Sequence, residues 1–299
     1  MKTKSVATLF FLMICCPLGG QESDPVIRWA TLAPWEFKVT NNIVYKKANG
    51  YDCKLDVITP GERSIVRPTL ICIHGGGFVA GDKEEASLVG LPYLAKGMNF
   101  VNVEYRRAPI SLAPAAVEDC RCALRWIYEH ASEYGFDVNR LVLRGASAGG
   151  HLVLMTGLVT REAGFDNECI DDGIPDPKVA AIINLFGPTD LSALLNAQPP
   201  KWYVLRWFGS VPNQAELARQ LSPVTYVHKG ITPIITIHGD SDQSVPYDQA
   251  IRLEEALRRA GVPHQLYTVR GGAHGGFSQE ELLKIQDAIF TFLKQSGVL

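Results

Sequence analysis

Ser147, in the stretch Leu141-Val-Leu-Arg-Gly-Ala-Ser-Ala-Gly-Gly150, has the neighbours a nucleophile needs. A short apolar run ends at Arg144 and a helical run begins near His151, so the pattern predicts strand, Gly-x-Ser-x-Gly turn, helix. A serine on such a turn sits in a strained backbone conformation with its hydroxyl above the sheet edge. Gly145 and Gly149 suit the turn, because a side chain at either place would crowd the adjoining strand and helix. Free N–H groups of the new helix would point at whatever stands beside Ser147 and favour negative charge there.

A serine hydroxyl is a weak nucleophile near neutral pH and needs a base. His274, in Gly271-Gly-Ala-His-Gly-Gly-Phe277, is the candidate, since four glycines free its loop to bring the imidazole to Ser147. A third group must fix that ring's tautomer and stabilise its charged form. Asp242, at the end of His238-Gly-Asp-Ser-Asp242, follows an apolar run, and the order Ser147, Asp242, His274 matches one known arrangement of this constellation. Asp240 competes but is better suited to bracing the turn, and Asp190 is a second competitor. Attack on a carbonyl would place negative charge on its oxygen. Gly75 and Gly76 of His74-Gly-Gly-Gly-Phe78, with the N–H of Ala148, are the candidate donors. His74 is expected to orient this loop by hydrogen bonding and to take no part in proton transfer.

Strands and helices must carry these residues to one place. Asn-Gly at 49–50, between extended stretches 42–47 and 51–58, predicts an antiparallel hairpin at the start of the sheet. Apolar runs at 69–74, 100–105, 141–143, 179–186, 233–237 and 265–269 read as strands buried on both faces, hence mostly parallel. Helices are expected over 84–98, over 115–130 with Val117, Cys120, Leu124 and Ile127 on one face, from near His151, after the strand at 233–237 up to Gly261, and after the last strand. Ser278 with Glu281 forms a capping box for the last helix. Residues 21–36 read as irregular. Residues 189–230 break the strand–helix rhythm and carry Trp202, Tyr203, Trp207 and Phe208, so they are read as a small lid or pocket wall. Candidate substrate-pocket residues are Phe78, Phe186, Trp202 and Trp207.

The chain has 299 residues, 46% hydrophobic, with a formal net charge of −2. That length suits one large α/β domain, and the near-neutral charge with no basic run argues against nucleic acid as a partner. Lys2 and Lys4 precede an apolar run from Val6 to Cys16, then Pro17 and Gly19-Gly20. This pattern predicts a secretory signal over residues 1–20, too short to span a bilayer comfortably, and a mature domain over 21–299 that is secreted or periplasmic. A lipid anchor through Cys15 or Cys16 fits less well, because Ile14 is not small. Five cysteines would remain: Cys53, Cys72, Cys120, Cys122 and Cys169. Export permits disulfides, but Cys120 and Cys122 face different ways on a helix and cannot pair with each other. No metal-ligand spacing is present, and the motifs call for no cofactor. Oligomeric state is not encoded in any pattern found.

Taken together, His74-Gly-Gly-Gly-Phe78, Tyr105-Arg-Arg-Ala-Pro109, Gly145-Ala-Ser-Ala-Gly-Gly150, His238-Gly-Asp-Ser-Asp242 and Ala273-His-Gly275 resemble the α/β-hydrolases of the hormone-sensitive-lipase type. Within these the chain looks most like the bifunctional feruloyl and acetyl-xylan esterase branch, over about residues 37–295. The resemblance implies an α/β-hydrolase fold, the triad Ser147, Asp242 and His274, and the glycine loop as oxyanion site. Arg106-Arg107 departs from the Arg-Leu frequent in the wider family. Residues 21–60 look too extended for the usual N-terminal helical cap, which implies an open cleft suited to bulky esters. The expectation is a secreted serine carboxylesterase acting on acetyl or feruloyl esters of plant glycans such as xylan. A general short-chain esterase or arylformamidase would share every catalytic residue, and a non-catalytic interaction protein on the same fold is the remaining alternative.

Overall fold

The computed structural model describes residues 24–61, 65–169 and 175–299. The expected secretory signal, residues 1–20, lies outside them. Eight strands form one sheet: β1 (Phe37–Ala48), β2 (Tyr51–Pro60), β3 (Arg67–Ile73), β4 (Asn99–Val103), β5 (Phe136–Ala146), β6 (Ala181–Leu185), β7 (Ile234–Gly239) and β8 (His264–Val269). Their order is β1-β2-β4-β3-β5-β6-β7-β8. β1 and β2 form an antiparallel hairpin and β2 runs antiparallel to β4, while every other pairing is parallel. The hairpin turns at Asn49 and Gly50, both with positive φ, as the Asn-Gly pair requires.

Among the described residues, ten α-helices accompany the sheet: α1 (Pro25–Glu36), α2 (Leu91–Leu94), α3 (Ala115–Glu129), α4 (Ala131–Tyr134), α5 (Ala148–Leu158), α6 (Leu191–Leu195), α7 (Trp202–Phe208), α8 (Gln214–Gln220), α9 (Asp248–Ala260) and α10 (Gln279–Gln295). Alternate residues of each central strand feed two cores. Ile71 and Leu143 meet α3, α5 and α9 on one face, and Leu70 and Val142 meet α2 and α10 on the other. This is the α/β-hydrolase architecture, with the antiparallel start and helices on both faces.

Two expectations are corrected. Residues 25–36 are helical, because the Asp24 side chain caps the Val26 N–H and Pro25 opens the first turn. None of this helix is buried, although Trp29 sets its edge against Phe37. The single helix expected over 84–98 is a 3₁₀ stretch, Lys83–Gly90, followed by the one turn of α2. Gly90 lies against the Phe100 ring, so the chain must pass close to β4 there.

The parallel register aligns the strand ends. Ile73 pairs with Gly145, Ala146 with Leu185, and Gly239 with Val269. Loops carrying His74, Ser147, Phe186, Asp242 and His274 therefore leave the same edge of the sheet, where open α/β sheets form ligand crevices.

Candidate active site

Ser147 occupies φ 57° and ψ −121° between β5 and α5, a conformation costly for any residue with a Cβ. The turn is fixed from both sides: the Ser147 N–H donates to the Leu185 carbonyl at 2.9 Å, and the His151 N–H donates to the Ser147 carbonyl at 3.1 Å. A Cβ at Gly145 would stand 2.2 Å from the Gly149 oxygen, and one at Gly149 would stand 2.2 Å from the Ile73 oxygen. No other residue allows strand and helix to approach this closely.

His274 Nε2 lies 2.8 Å from Ser147 Oγ, and its Nδ1 lies 2.6 Å from Asp242 Oδ2. An ionised carboxylate only accepts, so Nδ1 carries the proton and Nε2 is left to accept from the serine hydroxyl. Asp242 is buried. Burial would raise its carboxyl, but hydrogen bonds from His238 and His274 and from backbone N–H groups outweigh it and hold the group well below the usual carboxylate range. Those amides are Ser244, at 2.8 Å, and Val245, at 3.0 Å, both donating to Oδ1. His238 Nε2 stands 3.3 Å from Oδ2 and 2.9 Å from the Val245 carbonyl. The competing acids are engaged elsewhere. Asp240 accepts the Gly271 N–H at 2.7 Å, and Asp190 caps α6 through the Ala193 N–H.

Across the crevice, the glycine loop after β3 folds tightly. Gly76 has φ 112°, and a Cβ there would meet the Ala80 oxygen at 2.0 Å. His74 is buried, its Nδ1–H donating to the Gly75 carbonyl at 2.8 Å and its ring stacked on Tyr105 at 4.3 Å. The second arginine of Arg106-Arg107 also holds this loop, since Arg107 Nη1 donates to the Gly81 carbonyl at 2.7 Å. Arg106 instead grips buried Asp119 through Nε and Nη2.

Ser147 and His274 open into a cavity of ≈ 470 Å³, walled by Gly75 to Ala80, Ala146, Ala148 and the aromatic rings Phe186, Trp202 and Tyr203. Gly75, Gly76 and Ala148 all line it, with Gly77 beside them. Of the expected pocket residues, Phe78, Phe186 and Trp202 reach the cavity, and Trp207 does not. Trp207 is fully buried behind Phe78, the two rings stacked at 3.9 Å. The short helix α7 explains the difference: Trp202 and Tyr203 at its start face the cavity, and Val204, Trp207 and Phe208 fill the core. Tyr203 was read as part of the pocket wall without being singled out, and Ser244 and Val245 escaped sequence reading. Tyr203 had the signal of standing beside Trp202, whereas Ser244 and Val245 have no distinctive side chain. Among the described residues no cluster of His, Cys, Asp and Glu could hold a metal ion, and no helix is long and apolar enough to cross a membrane.

Known proteins resemble this chain along most of its length. The BD-FAE family model matches residues 55–257. A probable carboxylic ester hydrolase, LipM of Mycobacterium tuberculosis, is 30% identical over 205 residues, covering 67% of this chain and 47% of the relative. The chain spans about half the length of the curated relatives it matches. Among solved structures, a truncated carbohydrate esterase from gut microbiota superposes with a TM-score of 0.73 at 25% identity, covering 87% of this chain and 96% of that one. Propionate-bound esterase 2 of Thermogutta terrifontis gives 0.74 at 27%, covering 88% and 96%.

Proposed function

Because the chain belongs to the BD-FAE family of α/β-hydrolases, we propose that it is a serine carboxylesterase releasing short acyl or feruloyl groups from plant polysaccharides such as xylan. The hydrogen-bonded line Ser147–His274–Asp242 at the mouth of an aromatic-walled cavity carries this reading. Ser147 Oγ attacks the ester carbonyl while Nε2 of His274 takes its proton. The carbonyl oxygen, now negative, is received by N–H groups of the glycine loop and Ala148. Imidazolium then protonates the departing alcohol, and water, activated by the same ring, cleaves the acyl-enzyme. Asp242 remains ionised throughout and stabilises the imidazolium.

The substrate class draws on the gut carbohydrate esterase and on the propionate held by the Thermogutta enzyme, together with the expected export signal. Fold likeness is weak grounds for a substrate. Acetate release from acetylated xylan is therefore measured beside p-nitrophenyl acetate hydrolysis, with Ser147→Ala as control. Both activities present in the wild type and lost in the variant are expected. Turnover of the small ester alone would keep the triad and replace the polymer with small esters or arylformamides. Activity on neither would favour the interaction-protein alternative.

A further inference from the structure

Beyond the wall formed by Phe186 and Ala146 lies a second cavity, of ≈ 700 Å³, between α10 and the segment around Pro92. Its lining is predominantly apolar, with Leu185, Phe277, Leu282, Leu283, Ile285 and Ile289 prominent, and contains no acidic residue. Leu282 and Leu283 stand 51% and 69% exposed at its rim, so solvent reaches it. Into this apolar setting β5 projects Arg144, whose side chain also lines the groove. Among the described residues no carboxylate forms an ion pair with Arg144, and its Nε is buried without a hydrogen-bond partner. Gln286, on α10, also lines the groove and meets Tyr93 behind it.

The half-buried guanidinium of Arg144 meets Cys72 and Tyr93 as hydrogen-bond partners, but burial pushes both of their pKa values up, so both remain neutral and supply no counter-charge. A guanidinium in apolar surroundings is costly unless an anion and hydrogen-bond acceptors meet it. Three fully buried arginines have such partners: Arg106 holds Asp119, and Arg121 and Arg125 share Asp166. Arg144 has no such carboxylate, and it lines a cavity large enough for a ligand.

We propose that this groove binds a monocarboxylic acid with an aromatic or aliphatic body, its carboxylate on Arg144 and its apolar part along Leu282, Leu283 and Ile289. The proposal is independent of ester hydrolysis, since the groove is separated from Ser147 by Phe186.

Calorimetric titration of the full chain with 4-phenylbutyrate and its neutral amide tests it. The acid is expected to bind at least about tenfold tighter than the amide, as a charge-assisted contact implies. Arg144→Met should abolish that preference. Leu283→Glu, at an exposed position that keeps the fold safe, should weaken both ligands through lost apolar contact and the acid several-fold more through repulsion. Trp202→Ala, which alters only the Ser147 cavity, should leave both affinities as they are. Equal binding of acid and amide to the wild type would overturn the proposal, as would an unchanged affinity in Leu283→Glu. Loss of binding in Trp202→Ala would place the acid in the other cavity and overturn it equally.

Discussion

At the scale of single residues, Asp242 shows how a carboxylate can dictate a proton's position two atoms away. Its Oδ1 is committed to the Ser244 and Val245 amides, so only Oδ2 is left for the imidazole. In Asp242→Asn the amide oxygen must stay with those two donors, which turns the NH₂ group toward His274 Nδ1. Nδ1 then accepts, the ring proton moves to Nε2, and Ser147 loses its base. A fall in kcat of roughly 10⁴-fold is expected with little change in KM or thermal stability. Steady-state kinetics on p-nitrophenyl acetate checks it, and a variant retaining a tenth of wild-type activity would refute the tautomer argument. Ser147→Ala should cost more, about 10⁶-fold. The three residues were legible from the chain because each sits just past an apolar run. Asp242 was preferred over Asp240 because Asp240 suited bracing the turn, and it does accept the Gly271 N–H there. Trp207 was misread because a ring's direction on a short helix is set by the core beneath it, and no pattern in seven residues encodes that.

Element by element, α5 is where catalysis and stability meet. It starts at the nucleophile and is buried almost throughout, between the sheet and α3. His151, in its first turn, donates Nδ1–H to the Pro188 carbonyl at 3.1 Å and is boxed in by the rings of Phe78 and Trp207. Burial pushes its pKa down to about 4. A histidine with a lowered folded pKa binds fewer protons folded than unfolded, so stability falls as pH drops from about 6.5 towards 4 and then levels off. The whole effect is of order 3 kcal/mol. Urea unfolding between pH 4 and pH 8 should show this loss in the wild type and a flatter profile in His151→Gln; identical profiles would exclude His151 as the cause. Elements with long apolar periods, such as α3 and the central strands, were readable. The stretch 84–98 was not, because the demand of Phe100 for contact with Gly90 comes from a distant strand, and α1 was hidden by prolines that open helices as readily as they end them.

Over the whole molecule, the mostly parallel sheet with its antiparallel start was legible in the apolar runs and the Asn-Gly turn, but the strand order and the covering of α3 were not. Its apolar stripe faces the sheet as the spacing implied, yet Asp119, Arg121 and Arg125 on other sides are also buried. Arg106 and Lys46 of β1 cover Asp119, and Asp166 and Asp176, beyond α5, lie over Arg121 and Arg125. Arg121 and Arg125 both reach Asp166 and Asp176, and Lys46 of β1 reaches Asp119 and Glu168. A disulfide between Cys122 and Cys169 anchors the same segment, while Cys53, Cys72 and Cys120 stay reduced and buried. Five cysteines allow several pairings, and nothing in their spacing selects this one. The bond closes a loop across a separation of 47 residues, for which chain entropy predicts about 4 kcal/mol of stabilisation. Removing it with Cys122→Ala and Cys169→Ala should lower Tm by on the order of 10 °C. The triad lies on other loops, so kcat at 25 °C should stay within about twofold. A Tm unchanged in the double variant, or one unaffected by reductant in the wild type, would mean that the buried ion pairs alone hold the segment against α3.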